Sequence, residues 1–135
     1  MTINKIAVDT NVLVYIIDSN ESKKSEIAKL ILIESPVIST QVVSEFINVA
    51  RRKINKPKQE VLNKCSEWLS FGDLFCVKMK TIKKSTELIA KYDFQIFDSI
   101  IVASALEAGC NILYSEDLQH KLVVENRLTV LNPFV

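Results

Sequence analysis

Two periodicities alternate along this chain. Short unbroken apolar runs, the mark of strands buried on both faces, are separated by longer segments in which apolar residues return every third or fourth position, as on one stripe of a helix. Ile3 to Val8 predicts a first strand, and Asn11 to Asp18 a helix with Thr10 as its N-cap. Ser22 to Glu34 holds Ile27, Leu30, Ile31 and Ile33 in an amphipathic pattern that Pro36 stops. Val37-Ile38-Ser39 predicts a second strand, and Thr40 is placed to cap a helix from Gln41 to about Ile54, ending near Pro57. Lys58 to Ser70 predicts another helix, Gly72 breaks the chain, Leu74 to Met79 predicts a third strand, and Thr81 to Lys91 a further helix. Asp98 to Ala108 is apolar almost all round, the pattern of a helix covered on several sides, with Gly109 fitting the position just past its end. Ile112 to Tyr114 and Leu128 to Leu131 predict the last two strands. Strands alternating with helices in this way predict an α/β fold: a three-layer α/β/α sandwich with a central parallel sheet of about five strands, in a single domain spanning 1–135.

Composition narrows the classes. Of 135 residues, 48% are hydrophobic, enough to bury a core, and only two are glycine and three proline, with no linker, repeat or low-complexity stretch. No apolar run reaches the roughly 18 residues of a membrane-spanning helix, and the N-terminus lacks the long apolar stretch of a secretory signal, so the expected location is the cytoplasm. Cys65, Cys76 and Cys110 form no metal-binding pair, and the single histidine, His120, cannot complete a zinc site with them; they are expected to be small buried residues in a reducing compartment. The net charge of +1 neither demands nor excludes nucleic acid, but it averages over local structure. Arg51, Arg52, Lys53, Lys56 and Lys58 crowd one stretch, and Lys78, Lys80, Lys83 and Lys84 another. Each cluster reads either as a solvated helix face or as a set of phosphate contacts.

Four acids stand out against this background. Asp9 ends the apolar run Ile6-Ala7-Val8, and Asp117 follows Ile112-Leu113-Tyr114. Glu45 has Val42 and Val49 as its neighbours along the helix face, and Asp98 opens the apolar helix. A carboxylate aimed into apolar surroundings is costly unless a positive charge compensates it, and no lysine or arginine accompanies these four at short range. In an open parallel sheet, residues just after strands and at the starts of the following helices lie at one edge, where ligands bind. One shared divalent cation with oxygen ligands would account for all four acids together. Singly, each has a bland role: a turn residue at Asp9, a rim charge at Glu45, an N-terminal helix acid at Asp98, and a loop acid at Asp117 beside a solvated Glu116. Tyr15, Phe46 and Phe97 flank the acids and are expected to pack in the core rather than stack on bases. His120 reads equally as a phosphate- or base-contacting side chain and as an exposed loop residue.

The segments Asp9-Thr10-Asn11-Val12-Leu13, Ser44-Glu45-Phe46, Phe97-Asp98-Ser99-Ile100-Ile101-Val102-Ala103-Ser104-Ala105 and Ser115-Glu116-Asp117-Leu118, in this order and spacing, resemble a PIN domain over almost the whole chain. The resemblance is closest to bacterial VapC-type toxins, the ribonucleases of toxin–antitoxin pairs. It implies that Asp9, Glu45, Asp98 and Asp117 hold Mg2+ or Mn2+ and serve metal-dependent cleavage of RNA, with Asn11 and Ser115 as supporting residues that orient the acids or a water. It also implies a homodimer and a cognate antitoxin that restrains the enzyme by reaching into the acidic pocket. Arg51, Arg52, Lys53 and His120 are the candidate RNA contacts.

Two other readings compete. A haloacid dehalogenase-type phosphohydrolase also places an acid after its first strand, but its chemistry wants a second acid two residues later, where this chain has Asn11. A catalytically silent PIN-like scaffold is the binding-module alternative; such domains usually lose an acid, and all four are present here.

Overall fold

The computed structural model describes residues 3–135. Among them, six strands and six helices alternate: β1 (Ile6–Val8), α1 (Thr10–Ile17), α2 (Ser22–Ile33), β2 (Val37–Ser39), α3 (Thr40–Arg52), α4 (Lys58–Phe71), β3 (Asp73–Phe75), α5 (Met79–Tyr92), α6 (Ile96–Glu107), β4 (Ile112–Tyr114), β5 (Val123–Val124) and β6 (Leu128–Leu131). The sheet order is β3-β2-β1-β4-β6-β5. All pairings are parallel except β5 with β6. From β1 the chain steps one way to β2 and β3, then crosses back to β4 on the other side of β1. The right-handed rule for parallel crossovers puts α1–α4 on one face and α5–α6 on the other, and the helices pack accordingly, α1 on α2 and α3, α3 on α4, and α5 on α6, the expected three-layer arrangement. The order reverses between β1 and β4, so a ligand crevice belongs at their carboxyl ends.

The core fills both sides of the sheet. Leu13, Ile38, Phe46, Leu88, Val102, Leu106, Leu113 and Leu128 are fully buried, and the Phe46 and Trp68 rings meet edge-on at 4.6 Å between centroids. Helix α6 is buried continuously from Ser99 to Leu106, as its all-round apolar sequence predicts. Gly109, at φ 79°, ends it: the Gly109 amide donates to Leu106 and that of Cys110 to Ala105, the double bond of a left-handed helix terminus.

The boundaries differ from the sequence expectation where side chains cap. Asp9, not Thr10, caps α1, accepting from the Thr10 amide at 2.7 Å. Ser39 caps α3 through the Val42 amide, which frees Thr40 to accept from Val77 at 3.1 Å and tie β2 to the loop after β3. Strand β3 stops at Phe75 because Thr81 Oγ1 accepts from the Lys78 amide, starting α5 at Met79. Helix α6 starts at Ile96, two residues before Asp98. The sixth strand, β5, forms a hairpin with β6 through Glu125 and Asn126, both at positive φ. Lys84 holds that turn at 2.6 Å from Glu125, so this lysine is paired rather than part of a free basic patch. Of the cysteines, Cys65 and Cys110 are buried as expected, whereas Cys76 is exposed. Among the described residues no helix is long and apolar enough to cross a membrane.

Candidate functional site

Asp9 follows β1 directly, and its amide donates to Tyr114 at the end of β4, which fixes the residue at the reversal of strand order. The Asp9 side chain is 3% exposed. Its Oδ1 accepts from the Thr10 amide, and its Oδ2 accepts from Ser115 Oγ at 2.6 Å. Ser115 follows β4, is itself buried, and also accepts from the Leu118 amide, so the hydroxyl organises the loop after β4 while it orients Asp9. Asn11 completes the bracing. Its Nδ2 lies 3.5 Å from Asp9 Oδ2 and 3.3 Å from Asp117 Oδ2, and its Oδ1 accepts from the Glu116 amide.

Asp9, Glu45, Asp98 and Asp117 line one cavity of about 400 Å3 at this edge of the sheet. Thr10, Asn11, Val14, Tyr15 and Asp18 of α1 and its cap line it too, as do Val49, Lys53 and Ile54 at the end of α3. The helical repeat explains these contributions: Asn11, Val14, Tyr15 and Asp18 share one face of α1, and Glu45, Val49 and Lys53 one face of α3. Asp98 lies in the first turn of α6, where the helix dipole favours its charge.

The acids perturb one another. Burial pushes the Asp9 carboxyl up to about 6; the Ser115 and Thr10 hydrogen bonds hold it down, and Asp98 and Asp117 add to the rise. Glu45 is raised by burial and then by Asp98 and Asp117, against a lowering hydrogen bond from Gln41 at 3.2 Å. Asp98 is raised by burial and by Asp117. Among the described residues no ion pair reaches any of the four. Nor do any three acids, imidazoles or thiols stand close enough together to hold a metal ion as the side chains are placed. The acids line a common cavity without meeting at one point. The hydroxyl of Thr10, at the cavity wall, is buried without a hydrogen-bond partner.

Of the candidate nucleic-acid contacts, Lys53 alone lines this cavity. Arg51 is exposed and donates to the Lys56 carbonyl at 2.8 Å, Arg52 is exposed, and His120 accepts from the Asn132 amide through Nδ1 at 2.9 Å. Of the three flanking aromatics, Phe46 is in the core and Tyr15 is partly buried, but Phe97 is 61% exposed, against the expectation that it packs inside.

Glu116, which the sequence suggested to be a solvated acid, is instead only partly exposed and is paired. It accepts from Tyr15 Oη at 2.5 Å and pairs with Lys24 of α2 at 2.7 Å. The Lys24 ammonium sits over the Tyr15 ring, and Phe134 packs edge-on against that ring at 5.0 Å. Lys24 and Asp18 were missed as members of this neighbourhood. Asp18 had a signal, being seven residues, two helical turns, beyond Asn11; Lys24 had none.

Comparison with known proteins agrees with this architecture. Among solved structures, the Mycobacterium tuberculosis toxin VapC20, described as cleaving the sarcin-ricin loop, superposes with a TM-score of 0.70 at 18% identity, covering 84% of this chain and 90% of that one. A toxin–antitoxin complex from Klebsiella pneumoniae gives 0.69 at 19% identity over 96% and 97% of the two chains. DNA-bound VapBC from Salmonella typhimurium gives 0.69 at 15% over 95% and 97%. At these identities the likeness is one of fold. No curated protein sequence matches. A family model described as PIN domain matches residues 6–125, nearly the full length, and the chain therefore belongs to the PIN domain family.

Proposed function

We propose that this protein is a metal-dependent endoribonuclease, the toxin of a type II toxin–antitoxin pair, that hydrolyses RNA phosphodiester bonds. The observation that carries the reading is Asp9: a buried carboxylate with no cationic partner among the described residues, facing a cavity that Asp18, Glu45, Asp98 and Asp117 also line. A fold alone needs none of this, since burying and crowding carboxylates costs free energy that hydrophobic side chains would not.

The donor set suits Mg2+ or Mn2+. All four acids offer hard oxygens, and the unpartnered Thr10 hydroxyl on the same wall is one more. No three of them meet at one point among the described residues, and a hard ion such as Mg2+ takes only one or two carboxylates directly and keeps much of its hydration. We assign Asp9 and Asp98 as direct ligands, with Glu45 and Asp117 ligating directly or through water. Such an ion supplies positive charge to the phosphate and acidity to an attacking water. The protein's own residues do the rest. Ser115 and Asn11 fix the rotamer of Asp9, Asn11 couples it to Asp117, and the apolar wall of Val14, Val49 and Ile54 keeps the carboxylates poorly hydrated. Lys53, the cation on the rim, is placed to meet a substrate phosphate that the acids would otherwise repel.

The fold shared with proteins solved as toxin–antitoxin complexes supports a cognate antitoxin as partner; a homodimer as the working form, in the cytoplasm, completes the proposal. The deciding experiment is cleavage of total RNA by the purified protein with Mg2+ or Mn2+, with and without EDTA. Products that need the metal and disappear in the Asp98→Asn protein are expected. A folded wild-type protein that yields none under any divalent ion is instead a silent scaffold.

A further inference from the structure

Beside the acid cavity lies a second recess of about 510 Å3, lined by Glu45, Gln95, Ile96, Phe97 and Asp98. The two share Glu45 and Asp98 as a common wall. Its other lining is of different chemistry: an amide and two large apolar side chains, Ile96 66% and Phe97 61% exposed. Exposing two such side chains side by side has no folding benefit, since neighbouring α6 positions from Ser99 onward are buried. We infer that this recess is a nucleobase subsite, in which Phe97 stacks on the base next to the phosphate held at the acids and Gln95 meets the base edge.

The inference rests on the nuclease reading and deepens it. A phosphodiester at Asp98 carries a nucleoside on each side, each within one sugar of the phosphate. Phe97 precedes Asp98 in the first turn of α6, so one flanking base comes within reach of its ring. An exposed aromatic gives a stacking face to any unpaired base, while an amide with both donor and acceptor can discriminate between bases. The unpaired state matters, because a base held in a helical stack cannot offer its face. The subsite therefore selects loops or single strands. A protein partner, whether a second copy of this chain or an antitoxin, is the competing occupant of the two apolar side chains.

The test uses the full-length protein in two arms. In the first, short single-stranded RNA is cleaved with Mn2+ by the wild type, Phe97→Ala and Phe97→Tyr. We expect kcat/KM to fall roughly 5- to 100-fold in Phe97→Ala and to be largely kept in Phe97→Tyr. An abasic nucleotide scanned along the RNA should reproduce that loss in the wild type at one position beside the cut, and cost Phe97→Ala nothing more there. In the second arm, the indole introduced by Phe97→Trp should be quenched by the same RNA with Ca2+ in place of Mn2+, and not by its abasic form; Trp68 is buried and serves as the silent background. Equal cleavage by Phe97→Ala and wild type, an abasic effect at no position, or no quenching overturns the subsite. So does a Phe97→Ala protein whose loss of activity follows a change of oligomeric state in sedimentation. Metal-dependent cleavage by the wild type is read first and separately, so an indifferent Phe97→Ala sinks the subsite alone. Quenching without cleavage sinks the nuclease reading alone.

Discussion

The Ser115 hydroxyl donates to Asp9 Oδ2 at 2.6 Å, joining the ends of two neighbouring parallel strands across 106 positions of sequence. Both residues are buried, so the bond is shielded from competing water. It does two things at once: it selects the rotamer of the carboxylate, and it favours the ionised form that a metal needs.

Ser115→Ala should therefore weaken metal use without unfolding the protein. Asp9 loses its strongest stabilising hydrogen bond, its carboxyl moves further above about 6, and the Leu118 amide loses its acceptor. Mutations of such outer partners typically lower metal affinity or activity by roughly 10- to 100-fold. The measurement is the Mn2+ concentration at half-maximal cleavage, which should rise in the variant and partly recover as pH is raised. An unchanged midpoint would mean that Asp9 needs no help from Ser115.

Asp98→Asn and Asp9→Asn should each abolish cleavage and keep the fold. Both substitutions preserve shape, and both relieve repulsion within the acid set. Circular dichroism and thermal unfolding in EDTA should show a native spectrum and a melting temperature no lower than the wild type's. Robust cleavage by either folded variant would remove that residue from the proposed metal site.

Much of this site was legible because its signals are local. A carboxylate straight after an apolar run, as at Asp9, or three residues past its end, as at Asp117, and a polar residue two positions after Asp9, as at Asn11, mark a strand end facing a crevice. Glu45 was readable from its helical neighbours Val42 and Val49. The errors came where distant contacts or boundaries decide. Glu116 is neighbour to an obvious acid, but its partner Lys24 lies 92 positions away, and nothing beside either residue announces the pair. Phe97 was expected in the core as one of three aromatics flanking the acids at periodic positions. Because the helix begins at Ile96, Phe97 falls in the exposed first turn. Strand β5 has two residues, too few to show any period; its hairpin depends on the Lys84–Glu125 pair and on the Tyr92 hydroxyl that accepts from the Glu125 amide.

Lys24→Met should loosen the loop that carries Asp117. The pair with Glu116 is partly exposed, so its direct contribution to stability is modest, about 1 kcal/mol or less. The informative quantity is local. Glu116 stands between Ser115 and Asp117, and its amide donates to Asn11, so releasing its side chain frees the backbone that positions both. Amide hydrogen exchange over residues 115–118 should accelerate, and the Mn2+ midpoint should rise a few-fold, while Lys24→Arg keeps both near wild type. If exchange is faster but the midpoint is unmoved, the tether orders the loop without serving the acids.

The raised carboxyl of Asp9 also sets a pH dependence of stability. With the folded value at about 6 and the ordinary value at 3.8, the folded protein binds more protons than the unfolded one between these limits. The sign follows: the contribution of Asp9 to stability is fully present below pH 3.8 and is lost as pH rises through about 6. The shift of about two pH units corresponds to roughly 3 kcal/mol. In EDTA, the gap in melting temperature between Asp9→Asn and the wild type should therefore be wider at pH 7.5, where the wild type carries the buried charge, than at pH 5. Saturating Mn2+ should stabilise the wild type at pH 7.5 and leave Asp9→Asn nearly unmoved, reversing the order of the two proteins. Below about pH 6 the metal must displace a proton from Asp9, so the Mn2+ effect should shrink there. A gap in EDTA that is the same at both pH values would show that Asp9 is ionised throughout, and that its burial is compensated by the Ser115 and Thr10 hydrogen bonds alone.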